Sequence, residues 1–218
     1  MDYEQAVEDF YTSILRPGDI AVDCGAHIGR HTLPMRKLVG ATGHIYGFEP
    51  LPLPFVALQN SLSGVPNVTL ENCALGDRSG KSTFVHVPAF PEYSGFRERI
   101  YDSETSNLHR EEIEVTVKRL DEIVPNERVR YIKVDAEGGD LIILRGAEGI
   151  LRKSRPFVTF ELGDNSIVNY DYTSADYFDF FEKLGYRVRS ILGNELNRES
   201  FVESSRLQHV WDYSAAPA

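Results

Sequence analysis

One short segment limits the folds open to this chain more than any other: Ile20-Ala21-Val22-Asp23-Cys24-Gly25-Ala26-His27-Ile28-Gly29. Its apolar run is short and uncharged inside, flanked by Asp19 and Asp23, which is the signature of a strand buried on both faces of a parallel sheet. Two glycines separated by three residues follow, and then Thr32 to Val39 has a helical pattern ended by Gly40. Glycines at a strand-to-helix turn let the backbone pass close to a ligand, and the helix N-terminus presents unpaired N–H groups. A second strand, His44 to Phe48, leads into Glu49, 24 residues after Gly25. A carboxylate there can accept hydrogen bonds from both hydroxyls of a ribose.

The rest of the chain repeats this alternation. Ala6, Val7, Phe10, Tyr11, Ile14 and Leu15 recur at helical spacing, so Asp2 to Leu15 reads as an amphipathic helix stopped by Pro17-Gly18. Pro52 to Leu62 reads as a helix and Asn67 to Leu75 as a strand. Lys81 to Val87 and Glu112 to Lys118 alternate in the manner of paired strands. Beyond them come a strand at Tyr131 to Val134, a helix at Leu141 to Leu151 and a strand at Pro156 to Phe160. A helix at Ser174 to Leu184 and strands at Tyr186 to Leu192 and Gln208 to Trp211 complete the order. The expectation is one α/β domain over 1–218, with a mostly parallel central sheet, right-handed crossovers and flanking helices. Its N-terminal helix occupies 1–17, and a strand and loop insertion interrupts the alternation. The aperiodic stretch 88–111 reads as a lid or substrate loop, whose Phe90, Tyr93, Phe96 and Tyr101 either stack on a sugar ring or anchor the loop.

Composition narrows the partners. The chain has 218 residues and a formal net charge of −10, with no dense basic run, so its field opposes a nucleic-acid backbone. No stretch is apolar for the ~18 residues a membrane span requires. The acidic start, with Asp2, Glu4, Glu8 and Asp9, is unlike a secretory signal, and a cytoplasmic location is expected. Cys24 and Cys73, the two cysteines, read as buried thiols rather than a disulfide pair.

The turn separates two classes of ligand. A dinucleotide fold uses G-x-G-x-x-G, because a pyrophosphate needs several bare amides. Here an acid, Asp23, precedes the glycines, which suits the ammonium and sulfonium of S-adenosylmethionine and would repel a pyrophosphate. Two other classes stay open: an NAD-dependent oxidoreductase, and a non-catalytic module that binds S-adenosylmethionine.

Several segments together resemble the FkbM-type methyltransferases, a family of S-adenosylmethionine-dependent O-methyltransferases. They are Val22 to Gly29 with Thr32, Gly47-Phe48-Glu49-Pro50, and Asn72-Cys73-Ala74-Leu75-Gly76-Asp77. The most specific is Leu120-Asp121-Glu122-Ile123 leading to Ile132-Lys133-Val134-Asp135-Ala136-Glu137-Gly138, continued by Leu144-Arg145-Gly146-Ala147, Arg155-Pro156 and Phe160-Glu161. The resemblance runs over about residues 15 to 165. The chain departs from the family pattern at His27, where an asparagine is common, and at His31, where an aromatic is common. The resemblance implies a Rossmann-like class I methyltransferase fold. It also implies that Asp23, Gly25 and Gly29, with His27 and Thr32, line the methionine part of the donor. Glu49 would then hold the ribose, and Asn72, Ala74 and Leu75 would lie beside the adenine.

Asp135, Glu137 and Glu161 end adjacent strands or begin the helix after one, so all three can face one crevice. A carboxylate there takes the proton of an acceptor hydroxyl, or Asp135 and Glu161 hold Mg²⁺ that lowers the hydroxyl's pKa. Glu137 has a second reading as an acid favouring a helix start, and Lys133 as a strand lysine paired with an acid. His27 and His31 sit where they could touch donor or acceptor; His44, His86 and His109 read as surface or strand residues, with His109 set apart by its place in the long loop. The acceptor expected is a hydroxylated small molecule, a sugar or glycosylated natural product, with no nucleic-acid or membrane partner. The amphipathic N-terminal helix offers a surface for a homodimer.

Overall fold

The computed structural model describes residues 2–99, 107–125 and 128–218. Helix α1 (Tyr3–Ile14) begins where the Asp2 carboxylate accepts the Gln5 N–H, and it buries Val7 and Tyr11. Strand β1 (Ile20–Cys24), helix α2 (Thr32–Val39), strand β2 (His44–Phe48), helix α3 (Pro52–Ser61) and strand β3 (Val68–Glu71) follow as the alternation requires. Strand β4 (Ala74–Leu75) then leaves for a second sheet. The expected single strand at 67–75 is therefore two strands. The break falls at Asn72, whose side-chain amide donates to the carbonyls of Glu49 (2.8 Å) and Pro50 (3.1 Å), tying the chain sideways instead of onward.

Strands β5 (Gly80–His86) and β6 (Glu111–Lys118) pair antiparallel, and β4 joins β6 in parallel, making a three-stranded sheet. After a turn of helix, α4 (Leu120–Ile123), the chain returns to the large sheet as β7 (Val129–Val134). The helix expected at 141–151 is divided into α5 (Asp140–Arg145) and α6 (Glu148–Lys153). Gly146 explains the division, since a Cβ there would lie 2.0 Å from the Gly76 carbonyl oxygen. Asp121 restarts the second piece by accepting the N–H groups of Gly149 and Ile150 at 2.9 and 3.0 Å.

Strand β8 (Phe157–Glu161), helices α7 (Asp164–Ile167) and α8 (Ser174–Lys183) and strand β9 (Tyr186–Ser190) come next. The expected strand at 208–211 is absent. The chain instead forms helix α9 (Arg198–Leu207), capped by Asn197, and then strand β10 (Asp212–Pro217) between β8 and β9. The small residues Ser214, Ala215 and Ala216 carry little strand signal, and β10 owes its place to pairing on both edges.

The large sheet runs β3-β2-β1-β7-β8-β10-β9. All of its pairings are parallel except those of β10 with β8 and β9. Strands β1, β2 and β3 step outward in one direction and β7 and β8 in the other, so the order reverses between β1 and β7. Ligands bind above the carboxyl ends at such a reversal. One face of the sheet packs with α1 and α2 around Tyr11, Met35 and Tyr131. The other carries the main core, where Phe160 stacks with Tyr177, Phe181 and Tyr213. Among the described residues, no helix is long and apolar enough to cross a membrane.

Candidate active site

Strand register creates the centre of the site. Asp23 and Lys133 are partners across β1 and β7, and Asp135 follows two residues later on the same face. Lys133 Nζ lies 2.9 Å from Asp135 Oδ2 and 3.9 Å from Asp23 Oδ1, so one buried ammonium serves two carboxylates. Burial by itself would discharge this lysine, yet Asp135 and Asp23 keep it charged, above the ordinary lysine range. Burial likewise presses Asp135 upward, but Lys133 and a hydrogen bond with Glu161 hold it below the usual carboxylate range. Asp23 is 1% exposed, and burial raises its pKa against the pull of Lys133. Its Oδ2 accepts from the Thr32 hydroxyl at 2.6 Å, while Oδ1 has no hydrogen-bond partner among the described residues.

The glycine turn is pressed against this centre. Gly25 adopts φ +81°, and a Cβ on it would stand 1.9 Å from the Asp135 carbonyl oxygen. Beyond the turn, Glu49 Oε2 accepts the His27 N–H and Oε1 the Leu51 N–H, both at 2.8 Å. Burial pushes Glu49 up to about 7, against those two N–H groups.

At the ends of β7 and β8, one oxygen from each of Asp135, Glu137 and Glu161 lies within 4.8 Å of the others. Burial lifts Glu137 to about 8 although Arg99 forms an ion pair with it, and burial carries Glu161 well above its usual range. Glu137 does not begin a helix. It sits at φ +49° in the turn, and Asp140 is the acid in the first turn of α5. Asp140, fully buried, accepts the N–H of Ala136 and of Glu161, each at 3.2 Å, and is raised to about 7 by burial.

These groups surround a cavity of about 500 Å³. Asp23, Gly25, His27, Glu49, Ala74, Leu75, Asp135, Glu137 and Glu161 line it, as the sequence suggested. Gly29, Thr32 and Asn72 do not reach its wall. Thr32 orients Asp23 and Asn72 holds the Glu49 backbone, while Gly29 (φ +97°) packs against Leu58. Of the aperiodic stretch, Pro91 to Ser94, Phe96 and Arg99 form one side of the cavity, and Tyr101 lies outside the described residues. Phe96 is anchored edge-on to Phe84, and Tyr93 stacks with Phe90.

Several lining residues escaped the sequence reading. Glu4 of α1 reaches the cavity, where its Oε2 is 2.5 Å from His31 Nε2 and 3.1 Å from Arg30 Nε, and His31 holds its carboxyl down at about 2. An acid on the polar face of an amphipathic helix carries no signal of this kind. Arg99 and Trp211 line the cavity from segments without a motif. His44 bonds Thr69 and His86 bonds Glu111, both away from the site, and His109 is exposed. Cys24 and Cys73 are buried and free.

The chain matches the FkbM methyltransferase domain over residues 23–188. It is 32% identical to Methyltransferase 1 of Beauveria bassiana, in an alignment covering 58% of this chain and 57% of that protein. It is 29% identical to the 31-O-demethyl-FK506 methyltransferase FkbM of Streptomyces tacrolimicus, over 62% and 61% of the two. The chain thus spans about three-fifths of the length of the curated relatives it matches. Among solved structures, the methyltransferase FkbM from Methylobacillus flagellatus superposes with a TM-score of 0.54 at 18% identity, covering 99% of this chain and 54% of that one. That likeness is one of fold, the class I S-adenosylmethionine-dependent methyltransferase fold.

Proposed function

The chain belongs to the FkbM methyltransferase family, and from that membership we propose that it moves a methyl group from S-adenosylmethionine to a hydroxyl of a small molecule, a sugar or glycosylated natural product. The observation that carries the reading is Asp23: a buried carboxylate lining the cavity whose Oδ1, 3.9 Å from Lys133, has no hydrogen bond among the described residues and could accept one from a donor's ammonium. Gly25 and His27, with Gly29 and Thr32 behind them, shape the methionine end of the donor site. Glu49 accepts from the ribose, and Ala74 and Leu75, with Asn72 behind them, flank the adenine. The relative from Streptomyces tacrolimicus is by its name an O-methyltransferase, which supports a hydroxyl as acceptor.

In the proposed step the acceptor oxygen attacks the methyl carbon in line with the sulfur. The carbon–sulfur bond breaks toward sulfur, leaving a neutral thioether, and the hydroxyl proton passes to a carboxylate of the Asp135, Glu137 and Glu161 group. Asp135, kept ionised by Lys133, is the centre of that group, and the stretch around 88–99 closes the acceptor side as a lid. Calorimetry with S-adenosylmethionine tests the reading at its base: no binding by the purified chain would end it.

The three convergent carboxylates also have the hard oxygen chemistry of a Mg²⁺ site. Asp135 and Glu161 would hold the ion, which would orient the hydroxyl and lower its pKa. Lys133 and Arg99 already supply two positive charges to the same group, and that favours the metal-free scheme. Turnover in excess chelator, with and without added Mg²⁺, separates the two. Full activity in chelator removes the metal, and activity restored only by Mg²⁺ removes the metal-free base.

A further inference from the structure

A second cavity, of about 520 Å³, opens behind the donor cavity. Its wall combines the turn entering β5, one face of α5 and the segment at Tyr170 to Tyr172, and Phe96 belongs to both cavities. A Cβ on Gly139 would stand 3.5 Å from the Phe96 ring and 3.6 Å from the Tyr170 hydroxyl.

The charge of this cavity runs against that of the chain. On a protein of net charge −10, Arg78, Lys81, Arg97 and Arg145 meet there, against two carboxylates, Asp77 and Asp171. Lys81 is paired with Glu114 at 2.5 Å. Arg78, Arg97 and Arg145 have no carboxylate partner within ion-pairing distance among the described residues. The Arg145 guanidinium lies over the Tyr172 ring, 5.6 Å from its centre, which leaves its N–H edge free. The Tyr170 hydroxyl is buried in the same wall, where the Arg97 backbone N–H approaches it without forming a well-aligned hydrogen bond. Three guanidinium groups without an ion pair among the described residues, in a cleft whose four cations face two carboxylates, match an anion that accepts several hydrogen bonds. A phosphate offers the oxygens for bidentate contact with arginine. The aromatic faces of Phe96 and Tyr172 suit a ring attached to it.

We propose that this cleft binds the phosphate group of a ring-bearing organic phosphate, such as a sugar phosphate, at a site separate from the donor's. The inference stands without the methyl-transfer reading, because none of its cations lines the donor cavity. Titration calorimetry of the full chain with glucose 1-phosphate tests it, with glucose and inorganic phosphate as companion probes. The expected result is saturable binding of glucose 1-phosphate that weakens as salt is raised, weaker binding of inorganic phosphate and none of glucose. Arg78→Ala and Arg97→Ala, both on exposed positions, should each weaken it by roughly tenfold. Their thermal midpoints and S-adenosylmethionine affinity should stay at wild-type values. No binding of glucose 1-phosphate, equal binding of glucose or inorganic phosphate, or wild-type affinity in both variants would overturn the proposal. Failure of S-adenosylmethionine to bind would instead count against the donor assignment and leave this one standing.

Discussion

The two sides of the main cavity are built on opposite plans. On the β1–β2 side, neutral donors engage each acid, Glu49 through two backbone N–H groups and Asp23 through the Thr32 hydroxyl, with Lys133 reaching Asp23 only at 3.9 Å. On the β7–β8 side, acids face acids, relieved by Lys133 and Arg99. The first arrangement is preorganised and positions hydrogen-bond acceptors for a ligand without consuming them. The second is electrostatically loaded, because its acids crowd one another as well as being buried, and groups that move protons occupy such surroundings. Under the proposed function, binding and reaction are divided between two halves of one sheet.

The hardest test of that division is the residue where the halves touch. Gly25→Ala should cost more than about 3 kcal/mol, because a left-handed conformation strained for alanine adds to an overlap with the Asp135 carbonyl oxygen. Denaturant titration reads the stability, and calorimetry the accompanying loss of donor binding. Wild-type values for both would mean that the halves are not in contact as described. Next in size, Asp135→Asn should lower kcat on the order of 10²–10⁴-fold while S-adenosylmethionine still binds, the pattern expected when a proton-handling group is removed. Asp23→Ala should do the reverse, weakening donor binding by on the order of 10–150-fold, the value of a hydrogen bond to a charged group. If both variants changed affinity and turnover alike, the comparison would collapse.

Two pH effects are smaller. Glu49, raised to about 7, accepts from a ribose best when ionised, so donor affinity should rise as pH passes through that value and be flat in Glu49→Gln. Stability should move the other way. Glu49 and Asp140 near 7, and Glu137 and Asp212 near 8, bind protons more tightly folded than unfolded. The stabilisation they provide is complete below their ordinary values and is lost as pH rises toward about 8. Calorimetric midpoints at pH 5 and pH 8 check the sign, and a higher midpoint at pH 8 would contradict these assignments.

Legibility followed the same divide. The β1–β2 side could be read because its chemistry lies in contiguous segments, where glycine spacing and strand-end acids carry the pattern. The Lys133–Asp135–Glu137 run was visible as a motif, but Lys133 became informative only when strand register set it beside Asp23. Glu4, Arg99 and Trp211 arrive from distant elements, and no local spacing announces a contact made by folding. The same limit hid β10, which is held by pairing on both edges rather than by its own residues.

Asp140 has a consequence for motion. Its two oxygens hold the amides of residues 136 and 161, so one side chain fastens the ends of β7 and β8 together where no backbone pairing remains. Those amides share one acceptor side chain, so Asp140→Ala should speed hydrogen exchange at both positions. The carboxylates mounted on the two strand ends thus owe their relative position to a side chain that holds them through the backbone rather than through their own oxygens.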